Sequence, residues 1–312
     1  MRRVAGLLLV AAALAGCGDR ASIEAGGRAP GDILTVYTLL PREGPRAQAA
    51  QDINRGAKLA LAQAGGRAGE VTVQFATAAL PASLEADPIA DVVEAVVRDT
   101  GTVAVIGDLD ARTARYTAPL LNAVGILHVS PGTAPSGLAQ PAAEPSFVPL
   151  VPADAAQAAA LGTFKRGTVG VESEPGGLGV ANALGSTTKR SVDAETVVYS
   201  GSDPVNARGV VRGVLAESPR AQVLLTQELA TTDIAGDLGP RVRALTSVRA
   251  GAPPGFADAY PGLTPGPFAR AGFDAMNDVL AALRRAGPRA STRLEVIRAF
   301  EPSPPGPFRL ID

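Results

Sequence analysis

From Ile33 onward, short runs of β-branched and apolar residues alternate with stretches whose apolar positions recur at helical spacing. Ile33 to Leu39 reads as a strand, closed by the loop Pro41-Arg42-Glu43-Gly44-Pro45. Ile53, Ala57, Ala60, Leu61 and Ala64 then lie on one helical stripe that Gly65-Gly66 stops. Val71 to Ala76 is a second strand. After Pro88, the residues Ile89, Val92, Val93, Val96 and Val97 follow the i, i+3, i+4, i+7, i+8 pattern of a helix burying one face. Val103 to Ile106 is a third strand, followed by a helix running to about Val124 and a fourth strand, Ile126 to Val129.

The pattern restarts around Phe147 to Pro152. Helix Ala153–Phe164, strand Thr168–Val171, a glycine-rich turn, strand Thr196–Tyr199, helix Pro204–Glu217 and strand Gln222–Thr226 build a second βα lobe. Two late helices, Pro267–Arg285 and Ser291–Phe300, come with too few strands for a third domain and are expected to pack on the first lobe. Strands alternating with helices predict an α/β fold of two Rossmann-like lobes with parallel sheets. The expected division is 1–16 as export signal, 17–31 as tether, 32–147 plus 250–301 as the first lobe, 148–249 as the second, and 302–312 as a C-terminal tail.

Composition narrows the partners. The chain has 312 residues, of which 46% are hydrophobic, enough for a sizeable core. Its net charge of −1, without a long basic run, gives no electrostatic footprint for nucleic acid. Trp is absent and aromatics are 4%, which argues against a sugar cleft that stacks its ligand on rings. One histidine and one cysteine supply no set of transition-metal ligands, and no cofactor is expected. Gly176-Gly177-Leu178-Gly179 fits neither a dinucleotide fingerprint nor a P-loop. His128 is the only imidazole available as a general base, but Ser130 is followed by Pro131 and lacks the glycine context of a nucleophile elbow. A non-enzymatic role follows.

The amino terminus carries its own signal. Arg2 and Arg3 precede an uncharged apolar run from Val4 to Gly16, shorter than the roughly 20 residues a spanning helix needs. Leu14-Ala15-Gly16-Cys17 ends it and resembles a bacterial lipobox. The resemblance implies cleavage before Cys17, a lipid on its thiol, and tethering at the extracytoplasmic face of the cell membrane. The other reading is an ordinary secretory signal cut after Ala13-Leu14-Ala15.

Four segments in order resemble the type I solute-binding proteins, the leucine/isoleucine/valine-binding family: LLPREGPRAQAAQDINRGAKLALAQAGG from Leu39, VAVIGDLDARTARYTAPLLNAVGILHVSPGTAP from Val103, VPADAAQAAALG from Val151, and ARAGFDAMNDVLAALRRAG from Ala269. The resemblance implies two hinged lobes that hold a small-molecule solute between them and deliver it to an ABC transporter permease. It also implies that hydroxyls and amides of the second and third strand-end loops receive a ligand carboxylate. The hydroxyl candidates are Thr113, Ser130 and Thr133, and the amide candidates are Ala111, Gly132 and Ala134. The competing reading is that these hydroxyls cap helices and turns.

Several positions depart from the family. Asp110-Ala111-Arg112 stands where hydroxyl residues are usual, so Asp108 and Asp110 are expected to repel an anion unless Arg42, Arg46, Arg112 or Arg115 turns inward. The aromatic lid position falls on Gly176. The second lobe looks shortened between Gly239 and Pro253, leaving Glu228 and Asp233 as substitutes for the acidic residue that meets a ligand ammonium. These departures favour an acidic or polar solute over a leucine-like one, or else a degenerate member acting as an envelope interaction or sensory protein. If the lipobox is used, Cys17→Ser releases the protein from the membrane fraction without unfolding it, since no disulfide depends on the thiol; retention at unchanged mass refutes the anchor.

Overall fold

A computed structural model describes residues 29, 33–81, 85–174, 177–188 and 190–312. Cys17, the signal and nearly all of the tether lie outside these residues, as does Gly176.

In chain order the first part comprises β1 (Ile33–Pro41), α1 (Ala47–Gln63), β2 (Arg67–Ala68), β3 (Val71–Leu80), α2 (Ala86–Arg98), β4 (Thr102–Ile106), α3 (Ala111–Ala123), β5 (Leu127–Ser130) and β6 (Phe147–Pro149). The second comprises α4 (Asp154–Phe164), β7 (Val169–Ser173), α5 (Leu178–Leu184), β8 (Thr196–Ser200), α6 (Pro204–Glu217), β9 (Gln222–Leu225), α7 (Ile234–Leu238) and β10 (Val242–Thr246). Then follow α8 (Phe256–Ala259), α9 (Ala269–Ala286), α10 (Arg293–Ala299) and β11 (Arg309–Ile311).

Two sheets result, in the orders β2-β3-β1-β4-β5-β6 and β11-β10-β9-β8-β7. Every pairing is parallel except those of β2 with β3 and of β10 with β11. Parallel strands covered on both faces bury nearly every residue, which is why β4 reads Thr-Val-Ala-Val-Ile with all five side chains buried. On β1, Leu34, Val36 and Leu40 join the core beneath α1 and α9, while Leu39 joins Leu80, Ile89, Val93, Val96 and Leu121 beneath α2 and α3.

The two long helices α1 and α9 touch backbone to backbone. A Cβ at Gly56 would stand 1.9 Å from the Ala269 carbonyl oxygen, and one at Gly272 would stand 2.0 Å from that of Ile53. Glycine is needed at both positions for contact, at the cost of helix propensity.

Strand β10 fills the stretch between Gly239 and Pro253 that the sequence suggested was shortened: Val242, Ala244 and Leu245 are buried in the second sheet, with Arg243 interrupting the apolar run. The Pro-rich end also departs from expectation. Residues 302–312 are not a loose tail; they return to the second sheet, where Arg309–Ile311 pairs antiparallel with Thr246–Ala244. This return makes a third crossing between the lobes. Leu150–Val151, Ser247–Arg249 and Ser303–Gly306 lie side by side around one small cavity. Ser303 is fixed there by its amide and hydroxyl, which donate to Asp278 at 2.9 and 2.6 Å. Arg249 donates to the Pro304 carbonyl at 3.0 Å.

Gly272→Ala is expected to destabilise the first lobe by about 1–3 kcal/mol, the usual cost of overpacking a filled interior. Thermal unfolding measures it, and Gly162→Ala, in open space on α4, serves as the control without a clash, expected to stabilise by about 0.5–1 kcal/mol through helix propensity.

Candidate functional site

The loops after parallel strands all leave from one edge of their sheet. Loops after β1, β4 and β5 in the first lobe therefore face loops after β8 and β9 in the second. A cavity of about 240 Å³ lies where they meet, lined by Pro41, Pro45, Leu80, Pro81 and Leu109 from the first lobe and Pro204 and Val205 from the second, with Glu43, Arg46, Asp110, Arg112 and Asp203 as its charged groups. Val205 is 73% exposed, an apolar side chain left in water at the mouth.

Asp110 is the N-cap of α3. Its Oδ1 accepts from the amides of Arg112 and Thr113, at 3.0 Å each, and its Oδ2 accepts from the Thr113 hydroxyl at 2.9 Å. An aspartate in this position supplies the acceptor that the free N–H groups of a helix start require. So Asp110 and Thr113 satisfy each other, and the Thr113 hydroxyl is turned to the cap instead of the cleft. Ser130 is likewise local: its hydroxyl lies 3.0 Å from the Asp108 carbonyl and 2.9 Å from that of Thr133, and it accepts from the Thr133 amide at 3.2 Å. Gly132 sits where a Cβ would come within 2.8 Å of the Leu109 Cα, so it serves close backbone approach. Ala134 lines a separate cavity with Leu138, Phe147 and Asp154.

Three sequence candidates do converge. The Ala111 amide, the first N–H of α3 that Asp110 leaves free, donates to Glu228 Oε2 at 3.3 Å. The buried Thr133 hydroxyl donates to Glu228 Oε1 in a short hydrogen bond. Glu228 reaches them from the 3₁₀ turn Gln227–Thr231 that follows β9, so its carboxyl bridges the lobes. Burial pushes its pKa up to about 7, helped by the nearby Asp110 charge and opposed by Thr133, the Ala111 amide and Arg46.

Arg46, which precedes α1, crosses in the opposite direction. Only 6% exposed, it donates through Nε to Thr231 Oγ1 at 3.2 Å and through Nη2 to the Ser202 carbonyl at 2.5 Å. At the rim Arg112 lies 3.7 Å from Asp203. Arg46 and Arg112 thus turn to the second lobe, whereas Arg42 and Arg115 remain outside this cluster: Arg42 lines a separate cavity, and Arg115 is exposed.

Asp108 does not face the cleft, contrary to the expectation that it opposes an anion there. It is fully buried, accepts from the Thr117 hydroxyl at 2.5 Å and stands 3.4 Å from His128 Nε2. Burial raises its pKa, more than His128 and Thr117 lower it. His128 is enclosed as well, edge-on to the Phe147 ring at 4.9 Å, and belongs to the packing of the first lobe.

Residues passed over in the sequence complete the second lobe's side. Asp203 caps α6, accepting from the Val205 and Asn206 amides at 2.8 and 3.2 Å. Glu174, at the end of β7, accepts from the amides of Ser202 and Asp203. Asp203-Pro204 is a readable helix start, N-cap before proline, directly after a strand; with Ser202 and Thr231 it marks the strand-end loops that a parallel sheet directs into the cleft.

Two α/β lobes, three crossings and a cleft between strand ends make up a two-lobe architecture. The chain has the type I periplasmic-binding fold. A leucine-binding protein of Thermotoga maritima superposes with a TM-score of 0.69 at 15% identity, covering 85% of this chain and 86% of that one. The Streptococcus pneumoniae branched-chain amino acid binding protein in complex with isoleucine gives 0.64 at 14%, covering 86% and 87%. A solute-binding protein from R. palustris in complex with benzoate gives 0.66 at 17%, covering 86% and 85%. No protein-family model matches the chain, and no curated protein matches it in sequence.

The Glu228 contact carries a pH signature. In the folded structure burial holds the Glu228 pKa at about 7, against 4.5 for a solvated glutamic acid. The folded form therefore holds the extra proton between these values, so this stabilisation is fully present below the lower one and is lost as pH rises through the upper. Relative to Glu228→Gln, whose carboxamide does not titrate and can accept from the Ala111 amide through its oxygen while its NH2 donates to the Thr133 hydroxyl, the wild type should gain on the order of 2 kcal/mol between about pH 7.5 and 5. Parallel melting curves at the two pH values measure this; a difference independent of pH contradicts it.

Proposed function

We propose that this chain is a non-enzymatic, membrane-anchored solute-binding lipoprotein that captures a small acidic or polar solute between its lobes for an ABC transporter permease. The observation that carries the reading is the interlobe cavity, where strand-end loops of both sheets place Arg46 and Arg112, alongside Glu43, Asp110 and Asp203, next to a mostly apolar lining. An arginine fork suits a carboxylate, and Leu80, Leu109, Pro45 and Pro204 suit the apolar body attached to it. Solved proteins of this fold are described with isoleucine and with benzoate, two carboxylates with apolar bodies. Closure of two domains around a ligand at a hinge is the general means by which such a cleft captures a solute.

A second reading, a degenerate member serving as an envelope interaction or sensory protein, is favoured by a specific observation: Glu228, Thr133, Arg46 and Thr231 already satisfy one another across the cleft.

Native mass spectrometry of the soluble mature protein, followed by thermal-shift screening of amino acids and aromatic and aliphatic carboxylates, tests the choice. A ligand at 100 times its Kd adds about 2.7 kcal/mol, well within detection. Arg112→Ala is expected to weaken binding of such a solute more than tenfold, about 1.4 kcal/mol. Tight leucine binding unaffected by Arg112→Ala rejects the acidic-solute reading; an empty cleft and no response to any compound selects the degenerate one.

A further inference from the structure

We propose that Glu228 is the protein's own occupant of a carboxylate receptor in the first lobe, so that an external carboxylate gains this receptor only by displacing it. The receptor has two parts. One is the Ala111 amide, the N–H at the positive end of the 13-residue helix α3 that the Asp110 cap leaves unclaimed. The other is the Thr133 hydroxyl, on a side chain 1% exposed and held in place by the Ser130 turn. These donors come from different elements of one lobe and meet the two oxygens of one carboxyl, Oε2 and Oε1. That is a bidentate grip on a carboxylate, and the group filling it comes from the opposite lobe, 117 and 95 residues away in sequence.

The charges around Glu228 set how firmly it is held. From α3 Asp110 opposes it, from the start of α1 Arg46 favours it, and Arg112 is directed to Asp203 at the rim. From its own turn comes the Thr231 hydroxyl, which donates to the Glu228 carbonyl at 2.6 Å and also receives Arg46. Arg46 and Glu228 therefore form one cross-cleft fastening, and pulling Glu228 out of the receptor leaves Arg46 as the cation that a free carboxylate meets. This makes Glu228 a specificity-determining residue: it admits carboxylates that outcompete a tethered one and screens out weakly binding ones. The inference does not depend on transport, because receptor and occupant both belong to this chain.

Chemical rescue tests it. Glu228→Ala empties the receptor, and sodium acetate, compared with sodium chloride at equal ionic strength, should then raise the melting temperature by about 2 °C or more, while leaving the wild type unmoved. Adding Thr133→Val to Glu228→Ala should abolish the rescue. Glu228→Ser provides the same test should the alanine variant fail to fold. Equal responses to acetate in wild type and variant, or a folded variant that acetate does not stabilise, overturn the inference. Rescue by acetate with no solute found for the wild type upholds it while rejecting the transport reading; a wild-type solute without rescue does the reverse.

Discussion

Parallel strand pairing is the constraint from which the rest of this molecule follows. A strand that runs the same way as its neighbour must be reached by a crossover, so each strand end opens into a loop at one edge of the sheet. In both lobes those loops carry the chemistry: Arg46 follows β1, Asp110 and Ala111 follow β4, Thr133 follows β5, Asp203 follows β8 and Glu228 follows β9. None of these residues needs its neighbours in sequence to reach the site. The two antiparallel strands, β2 and β11, lie at sheet edges.

Helix starts in the cleft present amides that demand acceptors, and the protein answers most of that demand locally. Asp110 and Asp203 cap their own helices, while Glu174 takes the amides of the loop that leads into α6. What remains for contact across the cleft is a small remainder: the Ala111 amide, the Thr133 hydroxyl and the Arg46 guanidinium, with Arg112 beside Asp203 at the rim. The first three suffice because they are withdrawn from water. The first lobe's stiffness rests on α1 and α9, whose glycines bring the helices into backbone contact.

Much of the fold is legible in the sequence because its central strands are buried on both faces and its helices on one. Val103 to Ile106 is a continuous buried run, while Ile89 to Val97 and the stripe from Ile53 to Leu61 alternate buried and exposed positions at helical spacing. Strand β10 is obscured by Arg243, and β11 is a three-residue edge strand behind a run of prolines. Pro302 to Pro307 resembles a loose end because prolines cannot join a central sheet; the same residues serve well as a crossing that needs no ladder of amides. For the site, residue type alone cannot tell a capping hydroxyl from one aimed at a cleft. Thr113 and Thr133 look equivalent in sequence, yet the first is taken by Asp110 and the second reaches Glu228. What separates them is a partner about a hundred residues away, and no local pattern encodes that.

The charge balance of the cleft follows from the same separation. Counted along the sequence, Asp108 and Asp110 outweigh the half charge of a helix start. In three dimensions Asp108 is sealed behind His128 and Thr117, and Asp110 spends its acceptors on the α3 amides, so neither simply faces the cavity as a bare anion. Glu228 then becomes the charge that matters, and it is the one most readily neutralised, since burial and Asp110 both oppose its ionisation. With Glu228 protonated, Arg46 and Arg112 stand against Asp110, Asp203 and Glu43 where the lobes meet. A carboxylate entering the cleft gains only where an arginine and the start of α3 outweigh these anions, and its strongest competitor is the carboxyl the chain already places there.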